Sequence, residues 1–538
     1  MTAAKHGNAE SAGSGFAPLR QPVFAVLWVA TVLGNVGTFI RDVASAWLVT
    51  DLSASPSAVA MVQAAGTLPI FLLAIPAGVL SDILDRRRLL IVIQLCLACI
   101  SGTLALLAHA GELTVTSLVA LTFLGGVGAA LMAPTWQAVV PELVSRADLK
   151  NAVALNSIGF NIARAIGPAI GGLLLAGFGA AVTYGADVAS YLLVICALLW
   201  WRRKGNDGDE LQEHFFGAFR AGLRYARASR PLHIVLLRAG LFFIFASSAW
   251  VLLPLVARSL LNGGPGYYGL LLGAVGAGSI LGAFVLPMLR RALSSDNLML
   301  GAALIAAAVM ACLSFAPPQW LAVVILLLLG VGWITALTTL NGITQSILPN
   351  WVRGRGLAIY LTVFNGALAA GSLLWGGVAE QIGIPNTLLV AAAALVVMAM
   401  VARALPLPSG EEDLTPSNHW PEPLLAEPVA HDRGPVLITI TYRIRKADRP
   451  VFWSALKPLA EVRRRDGAYA WGVSEDTSDS EHIKEWFFVE SWAEHLRQHR
   501  RISHADADLQ KDVLALHAGP DKPVVEHFLA LEKPDRKH

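Results

Sequence analysis

Four charged side chains, Arg41, Asp42, Arg164 and Asp187, stand inside stretches that are otherwise apolar. A charge at the bilayer centre costs roughly 2.5 to 3.5 kcal/mol on insertion scales, so each is expected to face a cavity or a partner rather than lipid. At comparable depth, Arg41 is expected to pair with Asp187, leaving Asp42 nearer the cavity as the group that carries a proton. Arg41 and Asp42 are neighbours about 100° apart on a helix, so they are expected to point in different directions. Asn161, Arg164 and Pro168 recur at three-to-four-residue spacing on one face, which presents a cation beside an amide. Asn365 stands at the matching place later in the chain, so the two amides can hydrogen-bond one ligand from opposite sides. Asn35, Trp136 and Asn341, with Gln63, Gln137, Trp250 and Gln345, complete a set of amides and indoles with few carboxylates. Such a set suits an amphipathic, aromatic or anionic organic molecule better than a sugar or a metal ion.

A second constellation is the run Gly78-Val79-Leu80-Ser81-Asp82-Ile83-Leu84-Asp85-Arg86-Arg87-Arg88. Asp82 and Asp85 can face the positive end of a helix, while Arg86 and Arg88 reach carboxylates or helix carboxyl ends. Gly78, Asp82, Asp85, Arg86 and Arg88 therefore read as a latch that closes one side. Its counterpart around Gly282, Arg290 and Arg291 lacks the carboxylate, so the latch is expected on one half only. Gly167, Pro168, Gly171 and Gly172 form a small-residue stretch that lets helices approach closely.

The elements that carry these groups follow from composition. With 55% hydrophobic and 15% charged residues and a mean hydropathy of +0.57, most of the chain belongs in lipid. Apolar spans are expected near 23–49, 57–80, 89–109, 114–138, 152–178 and 181–201, then near 233–258, 267–289, 297–316, 320–347, 356–380 and 386–404. The two sets of six echo each other. Gln137, Pro141, Asn161, Gly167 and Gly172 recur 204 to 208 positions later as Gln345, Pro349, Asn365, Gly371 and Gly376. A duplicated apolar structure with small-residue helices at matching places is the pattern of an alternating-access transporter. Arg86 to Arg88, Arg146, Lys150, Arg202, Arg203, Lys204, Arg220, Arg224, Arg227, Arg230, Arg290, Arg291, Arg353 and Arg355 fall on one side, and only Arg258 on the other. By the positive-inside rule both termini are expected to be cytoplasmic. The first span is too long for a cleaved signal core and is expected to stay as an anchor. Cys96, Cys99, Cys196 and Cys312 lie within spans, which indicates neither disulfides nor a thiolate metal site.

The expected organisation is a tail over 1–22, helical bundles over 23–201 and 233–404 joined by a linker over 202–232, a flexible connector over 405–433 and a soluble domain over 434–538. In the linker, Phe215, Phe219 and Leu223 alternate with Arg220, Arg224 and Arg227 as an amphipathic interfacial helix. In the soluble domain, strands near 436–444, 467–475, 483–491 and 523–531 and helices beginning at Phe452 and spanning 492–516 give the order βαββαβ of a ferredoxin-like α+β sandwich. Tyr469, Trp471, Trp486 and Trp492 can line an aromatic pocket. His495 and His499 lie one turn apart and could bind a divalent metal, but the positive charge of Arg497, Arg500 and Arg501 around them opposes a cation, so a solvated helix face is expected. That basic helix is expected to touch the inner leaflet or the 202–232 linker.

The 78–88 run resembles the loop between the second and third helices of the major facilitator superfamily, Gly-x-Leu-Ala-Asp-x-x-Gly-Arg-x-Arg. Asp85 stands where that family has glycine, and Ile83 where it has a cation. Gly-Pro-Ala-Ile-Gly-Gly at 167–172 resembles the fifth-helix signature of its exporters. Trp136-Gln137, Pro141-Glu142-Leu143-Val144, Ala154-Leu155-Asn156 and Asn161-Ile162-Ala163-Arg164 resemble the transmembrane secretion effector branch, which includes enterobactin-exporter-like proteins. Arg463-Arg464-Arg465-Asp466-Gly467-Ala468-Tyr469 and the run from Glu490 to His499 resemble the domain appended to its longer members. The order of the soluble domain also resembles the dimeric α+β barrel of antibiotic biosynthesis monooxygenases. The resemblance implies twelve transmembrane helices in two pseudo-symmetric six-helix bundles. It also implies export of a siderophore or drug-like molecule across a bacterial inner membrane, exchange with protons, and a homodimer through the soluble domain. An enzyme or sensor tethered by its helices is the alternative class. No P-loop stands at a strand-to-helix junction, and neither a cofactor nor nucleic acid is expected as a partner.

Overall fold

Eleven helices among the described residues are long and apolar enough to cross a hydrocarbon layer. The computed structural model describes residues 16–145, 147–201, 215–409, 413–415, 417, 429–430 and 432–531. The helices are α1 (Pro22–Leu52), α2 (Pro56–Ile83), α3 (Arg86–Ala110), α4 (Val115–Leu143), α5 (Leu149–Trp200), the shorter α6 (Phe215–Ala228), α7 (Arg230–Leu255), α8 (Pro265–Ala292), α9 (Ser295–Ser314), α10 (Gln319–Ser346), α11 (Arg353–Ile382) and α12 (Ile384–Ala402). Proline opens α1, α2, α8 and α12, where its missing N–H costs no helix bond. Thr114 and Ser117 cap α4 reciprocally, and Ser294 caps α9. The 52 residues of α5 would measure about 78 Å at 1.5 Å each, far more than a ~30 Å hydrocarbon layer. Gly179 interrupts it with φ 79° and ψ 178°, a conformation that a Cβ disfavours.

Two units emerge from the contacts. The first draws on Met1–Asp207, Arg238–Thr339 and Leu361–Leu405. Within it, α5 lies against α1 and α8 through backbone-close glycines. A Cβ on Gly167 would stand 2.7 Å from the Phe39 Cβ, one on Gly171 2.9 Å from the Ile40 Cα, and one on Gly172 2.7 Å from the Gly269 Cα. Such approach lets long helices pack in lipid, where apolar surface alone does not drive association.

The second unit draws on Gly208–Leu237, Leu340–Tyr360 and Pro406–His538. Its sheet has strands β1 (Val436–Arg443), β2 (Ala470–Glu475), β3 (His482–Val489) and β4 (Val524–Leu529) in the order β2-β3-β1-β4, antiparallel throughout. Three helices, α13 (Arg449–Asp466), α14 (Trp492–Arg501) and α15 (His504–Leu514), complete it. Val436, Ile438, Ile440 and Tyr442 alternate onto the face that Phe452, Leu456 and Leu459 of α13 cover. The single helix expected over 492–516 is two, because Ser503 and Asp506 form a capping box that starts a new one. The aromatic pocket is also corrected. Trp471 pairs with Phe487 on the covered face, whereas Trp486 pairs with Gly472 and Thr439 on the opposite one.

Candidate functional site

In the first unit a polar cluster joins α1, α3 and α5. Arg41, 8% exposed, reaches back to its neighbour: Nη2 and Nε donate to Asp42 Oδ1 at 3.0 and 3.3 Å. Its Nη1 donates to the Tyr191 hydroxyl at 3.0 Å, which also bonds Thr38 at 3.2 Å. The expected Arg41–Asp187 pair is thereby corrected. Tyr191, one turn beyond Asp187, takes the guanidinium, and the fully buried Asp187 accepts from Ser101 at 2.6 Å and Ser190 at 3.5 Å. Likewise Arg41 and Asp42 do not diverge, because a long flexible side chain overrides the 100° offset between their Cα–Cβ bonds. The Asp42 side chain stays 54% exposed and Arg41 only 10%, so the carboxylate is the accessible end of the pair.

Arg164 lies in the first third of α5. Its Nη2 is buried without a hydrogen-bond partner, and no described carboxylate pairs with it. One turn before it, the half-buried Asn161 donates from Nδ2 to the Ser157 carbonyl at 2.8 Å. The repeat-related Asn365 on α11 does the same to the Leu361 carbonyl, also at 2.8 Å. Each amide thus ties its nitrogen to the helix and keeps its oxygen for another donor. Asn35 is half-buried on α1. Trp136 is half-buried and packs against the apolar cluster of Phe24, Val139 and Leu155. Asn341 belongs to the second unit and accepts from Gln345 at 2.5 Å.

In the charged turn, Asp85 caps its own helix, accepting from the Arg88 N–H at 2.8 Å, so the carboxylate at the family's glycine position starts α3. Arg86 bonds Glu142 at 2.7 Å and the Ala138 carbonyl at 3.2 Å, and Arg87 bonds the Leu198 and Leu199 carbonyls at the end of α5. Arg88 is exposed, and the Asp82 side chain lies outside the described ones. A Cβ on Gly78 would meet nothing within 4 Å, so this glycine of the latch run marks no close helix approach among the described residues.

Contacts between early and late spans occur instead at the opposite end. Arg258 pairs with Asp51, bonds Thr50 at 3.0 Å and lies over the Trp47 ring. Glu380 accepts from the Ser55 hydroxyl at 2.7 Å and the Ser57 N–H at 3.2 Å. Gly172 meets Gly269 and the Pro265 carbonyl at the same end. Sequence reasoning missed this closure, although Arg258 was already conspicuous as the lone cation of its side.

In the second unit, Glu494 on α14 gathers three arginines: Arg501 at 2.6 Å, Arg224 of α6 at 2.7 Å and Arg497 at 3.3 Å. Burial works against its charge, but Arg501 and then Arg224 outweigh it and hold the carboxyl below the usual range. Tyr225 of α6 donates to the Ile347 carbonyl at 3.2 Å and meets Trp351 edge-on, while Arg501 stacks 4.3 Å over the same indole. Burial raises the Tyr225 hydroxyl to about 12. The basic helix therefore contacts the linker, one of its two expected partners. The solvated face expected for His495 and His499 is corrected. His495 is 1% exposed and its ring lies against His499, His527 and Trp492.

A family profile described as transmembrane secretion effector matches residues 13–535. The multidrug efflux pump Tap of Mycolicibacterium fortuitum is 28% identical over 399 residues, covering 72% of this chain and 96% of that protein. The enterobactin exporter EntS of Salmonella typhimurium is 30% identical over 305 residues, covering 56% and 72%. The staphyloferrin A transporter of Staphylococcus aureus is 23% identical over 368 residues, covering 68% and 92%. Among solved structures, a D-xylose-proton symporter aligns with a TM-score of 0.58 at 15% identity, covering 72% of this chain and 98% of that one. The nucleoside transporter NupG aligns at 0.54 and 14%, covering 71% and 98%. At these identities the structural likeness is one of fold.

Proposed function

The chain belongs to the transmembrane secretion effector family, and from that premise we propose that it exports an anionic amphipathic organic molecule, a siderophore or drug-like compound, by alternating access. It is a multi-pass secondary transporter of small molecules, not an enzyme. The observation that carries the substrate class is Arg164. A guanidinium whose Nη2 is buried without a partner is costly, and an anionic group on the cargo would satisfy it while Asn161 and Asn365 offer amide oxygens. Relatives named for enterobactin, staphyloferrin A and multidrug efflux support a cargo of this size and polarity.

In this reading the break at Gly179 divides α5 into two spans, which makes twelve in two six-helix halves over 23–201 and 233–404. The end closed by Asp51, Arg258, Glu380 and Gly172 is the outer one. Among the described bonds, Arg86 and Arg87 tie the cytoplasmic turn at 78–88 to its own half, which fits a state open to the inside of a bacterial inner membrane with both termini cytoplasmic. Asp42 exchanges the driving proton: neutralising it removes the charge partner of Arg41 and leaves Tyr191 as its nearest bond. The domain at 434–538 is ferredoxin-like, supported by the strand order β2-β3-β1-β4. Its uncovered sheet face carries Trp486, Phe488 and the half-exposed Phe528, a surface suited to a second copy.

Proteoliposomes assayed with a siderophore and dye panel test the substrate class. Arg164→Ala is expected to lower flux of anionic cargo by at least about tenfold, the loss of one charge-assisted contact, while Arg164→Lys keeps part of it. Equal flux of anionic and neutral cargo in both variants would refute the assignment.

A further inference from the structure

Three imidazoles converge on the helix-covered side of the C-terminal sheet. The register sets His527 of β4 opposite the buried Ile438, which turns it toward the helices. From α14, His495 and His499 arrive one turn apart on a single face. Ligand-capable nitrogens of all three lie within 4.8 Å of one another, and the Nε2 atoms of His495 and His499 are 3.2 Å apart. Two nitrogens bound tetrahedrally at about 2.0–2.1 Å lie about 3.3 Å from each other, so this pair already has the bite of one ion.

We propose that His495, His499 and His527 bind one divalent transition-metal ion of borderline softness, with Zn2+ as the best geometric fit and water as its fourth ligand. The charge objection from the surrounding arginines is met by the structure. Glu494 takes Arg501 and Arg497, the buried Arg463 pairs with Glu485, and Arg500 is exposed. The Nδ1 of His495 and the side chain of Gln498, three residues along the same helix, lie buried beside each other. A metal on Nε2 fixes the proton on Nδ1, and the Gln498 Oε1 is the acceptor that would orient the ring.

The test uses full-length protein in detergent, freed of any histidine tag and stripped with chelator. Zn2+ competition against a chromophoric chelator is expected to show one tight equivalent, weakened about 100-fold or more in His499→Ala and His527→Ala, beyond the loss typical of outer-shell changes. Both variants change half-buried rings, and the thermal transition of the metal-free proteins reports whether they fold. Co2+ in the unaltered protein is a second readout that needs no variant, and the intense visible bands of a tetrahedral site are expected. Absence of those bands, or undiminished Zn2+ uptake in folded variants, would overturn the proposal.

Discussion

Alanine at Gly172 perturbs the closed end of the membrane unit where two backbones touch. Its Cβ would stand 2.7 Å from the Gly269 Cα and 2.7 Å from the Pro265 carbonyl oxygen. The reciprocal Cβ on Gly269 would stand 2.7 Å from the Pro168 carbonyl oxygen and 2.8 Å from the Gly172 Cα. These are backbone atoms, so relief requires whole helices to separate. Overpacking of this kind costs about 1–3 kcal/mol. If α5 and α8 touch here only while this end is closed, the cost falls on that state alone. The closed-to-open ratio then falls by a factor of about 5 to 150. Pulsed electron resonance between spin labels at Ser53 and Asn262, in a background without cysteine, would read this as longer distances in Gly172→Ala. An unchanged distribution in folded protein would refute the idea that the glycine contact belongs to one state of a two-state machine.

Asp42→Asn is expected to abolish the dependence of vesicle flux on a pH gradient without loss of folding, and a retained response would reject the proton role. Glu494→Gln removes the carboxylate that Arg501 and Arg224 share, with Arg224 keeping only Glu490 at 3.6 Å, a loss of about 3–5 kcal/mol for a broken buried pair. Calorimetry should show the transition of the second unit about 6–20 °C lower. The Tyr225 pKa is raised by burial from 10.0 to about 12, so its contribution to stability is present below pH 10 and is lost as pH rises toward 12. That contribution is about 3 kcal/mol. Tyr225→Phe should flatten the alkaline fall in melting temperature of the second unit, and an equally steep fall would contradict the linkage.

Apolar runs and helix starts were legible because span length, opening prolines and caps are local properties. Duplication was legible too, and Asn161 and Asn365 repeat even in the carbonyl each one binds. Where a side chain turns was not. Helical periodicity gives the direction of the Arg41 Cα–Cβ bond, but four further torsions bring its guanidinium to Asp42 and Tyr191. Contacts between distant spans, such as Arg258 with Asp51, need the packing itself. His527 joins His495 only through strand register, which the 31 positions between the two histidines conceal. The break before α15 could have been read, since Ser503 and Asp506 carry a capping-box signature.

Export by alternate opening of two helical halves is tested most directly by tying the closed end shut. Cysteines at Asp51 and Arg258, whose side chains already meet, can be crosslinked in proteoliposomes. Flux should stop on oxidation and return on reduction, with the unaltered protein indifferent to both. Undiminished flux through the crosslinked pair would contradict the mechanism.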